Sequence, residues 1–125
     1  MDTKSRKSLG SYGEDAAVEY ILSQGCEVLC RNFRCRFGEI DIIAKKDDVF
    51  IFIEVKTRRS IGAGFPVEAV NYTKQQKIIS TARVYLCDKE DYSARFDVIE
   101  VYVGSYGGAC RSCRINHIKN AFWGC

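Results

Sequence analysis

The chain contains one proline, Pro66, one histidine, His117, and no apolar run approaching the roughly 20 residues that span a bilayer. A membrane-spanning helix is therefore not expected. The basic start, Met1-Asp2-Thr3-Lys4-Ser5-Arg6-Lys7, is not followed by the continuous apolar stretch of a secretory signal, so a cytoplasmic location is expected. No HxxxH and no second CxxC accompany Cys110-Arg111-Ser112-Cys113, which leaves that motif as half of a four-ligand zinc site. Without a secretory signal, the seven cysteines read as reduced thiols. Cys26, Cys30, Cys35 and Cys87 suit small core or half-exposed positions, and Cys110 and Cys113 decorate a loop. Internal repeats and low-complexity tracts are absent. A net charge of +3 is too small to argue alone for a polyanionic partner.

What is present suits one globular domain. The 125 residues, 46% hydrophobic and 28% charged, suffice for one sheet covered by helices but not for two cores. Residues 1–10 read as a flexible start and 11–125 as the domain. Ser11-Tyr12-Gly13-Glu14 has capping-box spacing, and Ala17, Val18, Ile21 and Leu22 follow a helical repeat, which predicts a helix over 12–24 ended by Gly25. Residues 26–33 alternate as a strand, and 38–58 form a hairpin. The loop at 60–70, with Gly62, Gly64 and Pro66, is placed to cover or flank the hairpin's open face. Asn71 caps a second helix reaching about residue 87, with Ile78, Ile79, Ala82, Tyr85 and Leu86 as its apolar stripe and Gln75 one step back along it. A strand at 96–103, a loop at 104–108 and a short final strand at 115–118 complete the chain. The order α-β-β-β-α-β predicts an α/β fold with a mixed central sheet flanked by helices.

The hairpin carries the chemistry. With its turn centred on Asp47-Asp48, facing pairs sum to 95, and Asp41 stands opposite Glu54 with Cβ atoms about 4.5–5.5 Å apart. Lys56 follows Glu54 on the same face, while Ile51, Ile53 and Val55 point to the other. A turn shifted by one residue keeps both acids on one face as diagonal neighbours, whereas a bulge separates them. Opposed carboxylates need a positive charge between them, and a divalent cation answers that need. Arg31, Arg34, Arg36, Lys45, Lys46, Lys56, Arg58 and Arg59 cluster in or beside the hairpin, a basic rim suited to a phosphodiester backbone.

Asp41, twelve intervening residues, then Glu54-Val55-Lys56 resembles the Asp…(Asp/Glu)-x-Lys signature of the PD-(D/E)xK nuclease superfamily. A longer set of segments resembles the YraN family, nearly end to end and in order. They are Gly13-Glu14-Asp15-Ala16-Ala17, Arg31-Asn32-Phe33-Arg34, Gly38-Glu39-Ile40-Asp41, Phe52 to Arg58, Lys74-Gln75, Arg95-Phe96-Asp97-Val98 and His117 to Phe122. That family is endonuclease-like and similar to archaeal Holliday-junction resolvases. The resemblance implies a restriction-endonuclease-like core, with Asp41, Glu54 and the Val55 carbonyl binding Mg²⁺ or Mn²⁺. It further implies that Lys56 positions or deprotonates the attacking water, that Glu14 is the helix-one acid completing the site, and that Gln75 is its second-helix polar residue. Arg34, Arg36, Arg58, Arg59 and Lys74 become the nucleic-acid contacts. Analogy with resolvases, whose junctions are two-fold symmetric, adds a homodimer. The chain departs from the fuller pattern where Ile40 stands in place of proline before Asp41, and where Thr73 stands before Lys74-Gln75.

Each residue also has a plainer account. Asp41 and Glu54 can sit in a structural ion-pair network, Lys56 can pair with Glu54 or Glu39, and Glu14 is what a capping box asks for after Ser11. Gln75 can be a peripheral helix residue, His117 structural, and Asp97 an ion-pair partner of Arg95. Two functions are therefore expected to compete: a metal-dependent nuclease acting on branched or otherwise exposed DNA of repair or recombination, and a nucleic-acid-binding protein that keeps the fold with little or no turnover. A metal-thiolate protein built on the cysteines is a third, weaker reading.

Overall fold

The computed structural model describes residues 9–59, 70–105 and 111–123, with backbone alone at 59, 105 and 111–113. All but Val70 of the loop expected at 60–70, the chain start at 1–8, Cys110 and the Cys113 side chain lie outside the described residues. Apolar residues in helical period build α1 (Leu9–Ser23), which begins earlier than expected and takes Gly10 and Ser11 into its body, so Ser11 is not its cap. A glycine this near a helix end does not break it, because few of the helix's hydrogen bonds depend on it. Gly25, at φ +89°, closes the helix.

Strands β1 (Glu27–Cys35), β2 (Gly38–Lys46) and β3 (Val49–Arg59) then run as an antiparallel meander. Asp47 and Asp48 adopt φ of 51° and 64°, a type I′ turn built without glycine. That turn sets the register the sequence predicts, with pairs summing to 95 from Lys46↔Val49 to Ile42↔Ile53. Asn71 caps α2 (Tyr72–Leu86) by accepting the Lys74 N–H at 2.8 Å. The helix makes the crossover that parallel pairing of β3 with β4 (Ser93–Ser105) requires. Strand β5 (Arg111–Phe122) returns antiparallel to β4 and is longer than the short strand expected. Its signal is weak in the sequence because a register shift opposite Phe96/Val98 and a positive φ at Asn120 interrupt the alternation of an edge strand.

The described strands thus form one mixed sheet in the order β1-β2-β3-β4-β5, with a helix on each face, and the expected α/β class holds. Ala17 and Ile21 of α1 pack over Ile42, Ala44, Ile51, Ile53, Ile99 and Val101. Ile78, Ile79, Ala82 and Leu86 of α2 pack over Ile43, Phe50, Phe52, Phe96 and Val98. Burying each such side chain contributes about 1.5–3 kcal/mol, so two apolar faces on one sheet account for the layering. Among the described residues, no helix is long and apolar enough to cross a membrane.

Candidate metal centre

Alternation along β3 sends Phe50 and Phe52 toward α2, and Ile51, Ile53 and Val55 toward α1. Glu54 and Lys56 continue the α2-facing row where the apolar packing ends. Glu54 is buried, at 8% exposure. Lys56 is half-buried and makes no ion pair or side-chain hydrogen bond with any described residue.

On β2 the alternation slips. Ile40 and Ile43 both pack on the α2 side while Ile42 packs on the other, which a regular strand cannot do. The slip falls at Asp41, between the pairs Arg31↔Ile42 and Phe33↔Ile40, where Asn32 of β1 has φ 54°. Recorded pairing of β2 with β3 stops at Ile42↔Ile53, one short of the expected Asp41–Glu54 pair. Asp41 instead closes the gap with its side chain, Oδ2 accepting the Val55 N–H at 2.8 Å. Burial, the charge of Glu54 and smaller contributions from Glu14 and Glu39 push the Asp41 carboxyl up to about 7, against the Val55 bond that lowers it.

A cation already stands beside the pair. Lys74 Nζ, delivered by the first turn of α2, lies 3.1 Å from Glu54 Oε2. Burial works against its ammonium, but the bond to Glu54 and the charges of Glu54, Asp41 and Glu39 outweigh that and raise its pKa. Lys74, expected on the nucleic-acid rim, is thus an ion-pair partner of a candidate ligand.

Glu14 comes from α1, which approaches closely because Gly13 is buried against Thr57 of β3, where any Cβ would collide with the Thr57 side chain. Its Oε1 accepts from Arg31 Nη2 at 2.9 Å and Asn32 Nδ2 at 3.1 Å, so it serves neither as a cap nor as a bare acid. Asp15 binds the same Arg31 at 2.8 Å, and the two acids raise the guanidinium's pKa, Asp15 most. Gln75 Nε2 donates to the Val70 carbonyl at 2.8 Å and steadies the entry to α2. Of the other rim residues, Arg34 pairs with Glu39 at 3.2 Å, Arg58 lies 3.9 Å from Glu100, and Arg36 rests on the Phe37 ring at 4.8 Å. The Arg59 side chain is outside the described residues.

One acid beside the site escaped the sequence reading. Glu100 is fully buried and is the β4 neighbour of Lys56 across the parallel ladder. Its Oε1 accepts from Asn116 Nδ2 at 2.8 Å and Tyr102 Oη at 3.2 Å, while Oε2 has no hydrogen-bond partner among the described residues. The signal was available: in Val98-Ile99-Glu100-Val101, as in the hairpin, a charge sits inside an apolar strand. Asp97, by contrast, is saturated. It accepts from Arg95 at 2.9 and 3.0 Å and from the Asn120 N–H at 3.1 Å, with His117 Nε2 at 2.7 Å. Despite burial, those donors lower its pKa. Asp97 is acceptor-only, so His117 Nε2 donates to it, and His117 Nδ1 hydrogen-bonds the Tyr20 hydroxyl 3.0 Å away. His117 therefore ties β5 to α1.

Among the described residues, no three His, Cys, Asp or Glu side chains gather into a ready-made metal centre. Cys26, Cys30, Cys35 and Cys87 are free thiols. The donor set is two carboxylates, Asp41 and Glu54, with the Val55 backbone beside them. Two hard oxygen donors fit an ion that keeps several waters and binds substrate phosphate, which is the habit of Mg²⁺ and Mn²⁺ rather than of Zn²⁺ or an all-protein Ca²⁺ cage.

Residues 13–101 match the family described as "Uncharacterised protein family UPF0102". A UPF0102 protein of Caldanaerobacter subterraneus subsp. tengcongensis is 43% identical over 124 residues, covering 98% of this chain and 100% of that protein. One from Clostridioides difficile is 46% identical over 120 residues, covering 94% and 99%. Another, from Prosthecochloris aestuarii, is 45% identical over 118 residues, covering 92% and 93%. These matches agree with the YraN-like resemblance of the sequence segments.

Proposed function

The chain belongs to Uncharacterised protein family UPF0102, and from the geometry of its site we propose that it is a divalent-metal-dependent nuclease hydrolysing phosphodiester bonds of DNA. Branched or otherwise exposed intermediates of repair and recombination are the substrates this reading favours. The observation that carries it is the strand slip that turns Asp41 onto the Val55 N–H beside buried Glu54. A fold seldom sets a half-buried acid beside a buried one without a task for them.

Asp41 and Glu54 would hold Mg²⁺ or Mn²⁺, with the Val55 carbonyl available as a further ligand. The bound ion supplies charge neutralisation at the phosphate and a lowered pKa for water. Lys56, free of partners among the described residues, would orient the attacking water or take its proton. The water oxygen would bond to phosphorus as the bond to the leaving sugar oxygen breaks, and that oxygen would take its proton from solvent. Glu14 adds negative potential at Asp41, and Gln75 steadies the helix that brings Lys74. Once displaced from Glu54, Lys74 is set to neutralise the nucleic-acid backbone.

The Lys74–Glu54 ion pair favours a second reading, in which the ammonium takes the cation's place and the protein binds nucleic acid without cutting it. Incubating labelled four-way junction, flap, single-stranded and duplex DNA with Mg²⁺ or Mn²⁺ separates the two. Cleavage by the wild type that is lost in Asp41→Ala and Lys56→Ala supports the nuclease. Binding without cleavage in all three proteins supports the second reading.

A further inference from the structure

Two large aromatic side chains face solvent across one cleft. Phe37, in the β1–β2 turn, is 41% exposed, and Tyr72, the first residue of α2, is 73% exposed. Together with Thr73, Gln76, Lys77 and Ser80 they line a shallow cleft of about 300 Å³. Leu22, Val84, Tyr92 and Trp123 are also exposed, but none of them lines it. Leaving aromatic surface in water forfeits burial energy, so a matched pair across a cleft calls for an occupant.

Charge narrows the choice. Among the described residues lining the cleft none is acidic, Lys77 contributes a cation, and the Arg36 guanidinium stacks on Phe37 at its edge. Tyr72 lies two residues before Lys74 in the helix, within one turn of the side chain that touches Glu54. The cleft and the Asp41–Glu54 pair therefore share the N-terminal end of α2. Aromatic rings beside cations, leading to a phosphodiester site, suit a base that has left its stack. Bases inside a duplex keep their faces covered and cannot enter.

We propose that the Phe37–Tyr72 cleft seats an unpaired nucleobase of a polynucleotide whose backbone runs past Asp41 and Glu54. This rests on the nuclease reading and sets its substrate class: single strands, flaps and the open bases at branch points.

Fluorescence anisotropy in EDTA, with a labelled single-stranded oligonucleotide and a duplex of equal length, tests the proposal on wild type, Phe37→Ala, Tyr72→Ala and the ring-preserving Tyr72→Phe. Each alanine variant is expected to weaken single-strand binding about tenfold, the effect of losing one base–aromatic stack, while Tyr72→Phe stays near wild type and duplex binding is unchanged. Single-strand binding that survives both alanine substitutions, or is absent from the wild type, overturns it; an apolar protein segment would then be the better occupant. Cleavage with Mg²⁺ or Mn²⁺ is measured on the same proteins. Ring-dependent binding without wild-type cleavage keeps the cleft and removes the nuclease reading, whereas cleavage with ring-independent binding does the reverse.

Discussion

Asp41 keeps its proton to near neutral pH because burial and the charge of Glu54 both oppose its ionised form. The folded chain thus binds a proton that the unfolded chain has released between pH 4 and 7, so without metal this residue's contribution to stability falls as pH rises through that interval. One pKa unit is worth about 1.4 kcal/mol, which bounds the effect at a few kcal/mol. Asp41→Asn should therefore raise the melting temperature of the metal-free protein at pH 8, leave it nearly unchanged at pH 4, and abolish any thermal shift with Mn²⁺. Wild-type affinity for Mn²⁺ should itself rise with pH through about 7, as Asp41 loses its proton. Lys74 acts as a built-in competitor: Lys74→Met removes the ammonium from Glu54 and should tighten Mn²⁺ binding several-fold in calorimetry. The placement of Asp41, Glu54 and Lys56 on the hairpin strands was legible in the sequence because charge inside an apolar strand is conspicuous. Lys74 as the partner of Glu54, and Arg31 as the partner of Glu14, were not, since those pairs join residues 17 to 20 apart whose approach only the tertiary fold decides.

Among the elements, α1 and β3 meet closely at Gly13. Gly13 against Thr57 lets the helix settle onto the sheet and brings Glu14 toward Asp41. Gly13→Ala should displace the helix and cost about 1–3 kcal/mol in urea denaturation, as overpacking does, with Gly13→Ala/Thr57→Ser recovering part of it. The hairpin was readable because the Asp47-Asp48 turn and the alternating residues beyond it agree on one register. Where the backbone departs from regularity, that reading stops. The slip at Asp41 and the register shift along β5 are backbone events that leave no periodic mark, so the Asp41–Val55 hydrogen bond and the length of β5 emerge only in three dimensions.

Across the whole molecule, a net charge of +3 conceals that several of the described rim cations are already paired with acids. Arg31, Arg34 and Lys74 each hold a carboxylate, and Arg58 faces Glu100. Binding to a single strand should consequently depend only mildly on salt. A plot of log K against log[salt] should have a slope near −2, as for about three phosphate contacts, rather than the steep slope of a broad basic surface. The two faces of the sheet carry separate duties. The tyrosine–histidine–aspartate chain fastens α1 to β5 on one, while the α2 side holds Glu54, Lys56 and Glu100.

Whether Asp41 and Glu54 jointly hold a divalent ion is tested most directly by calorimetric titration of Mn²⁺ into the wild type, Asp41→Ala and Glu54→Ala at pH 8. One ion per wild-type chain, with binding lost in both variants, is the expected result. No binding to the wild type, or undiminished binding to either variant, would contradict it.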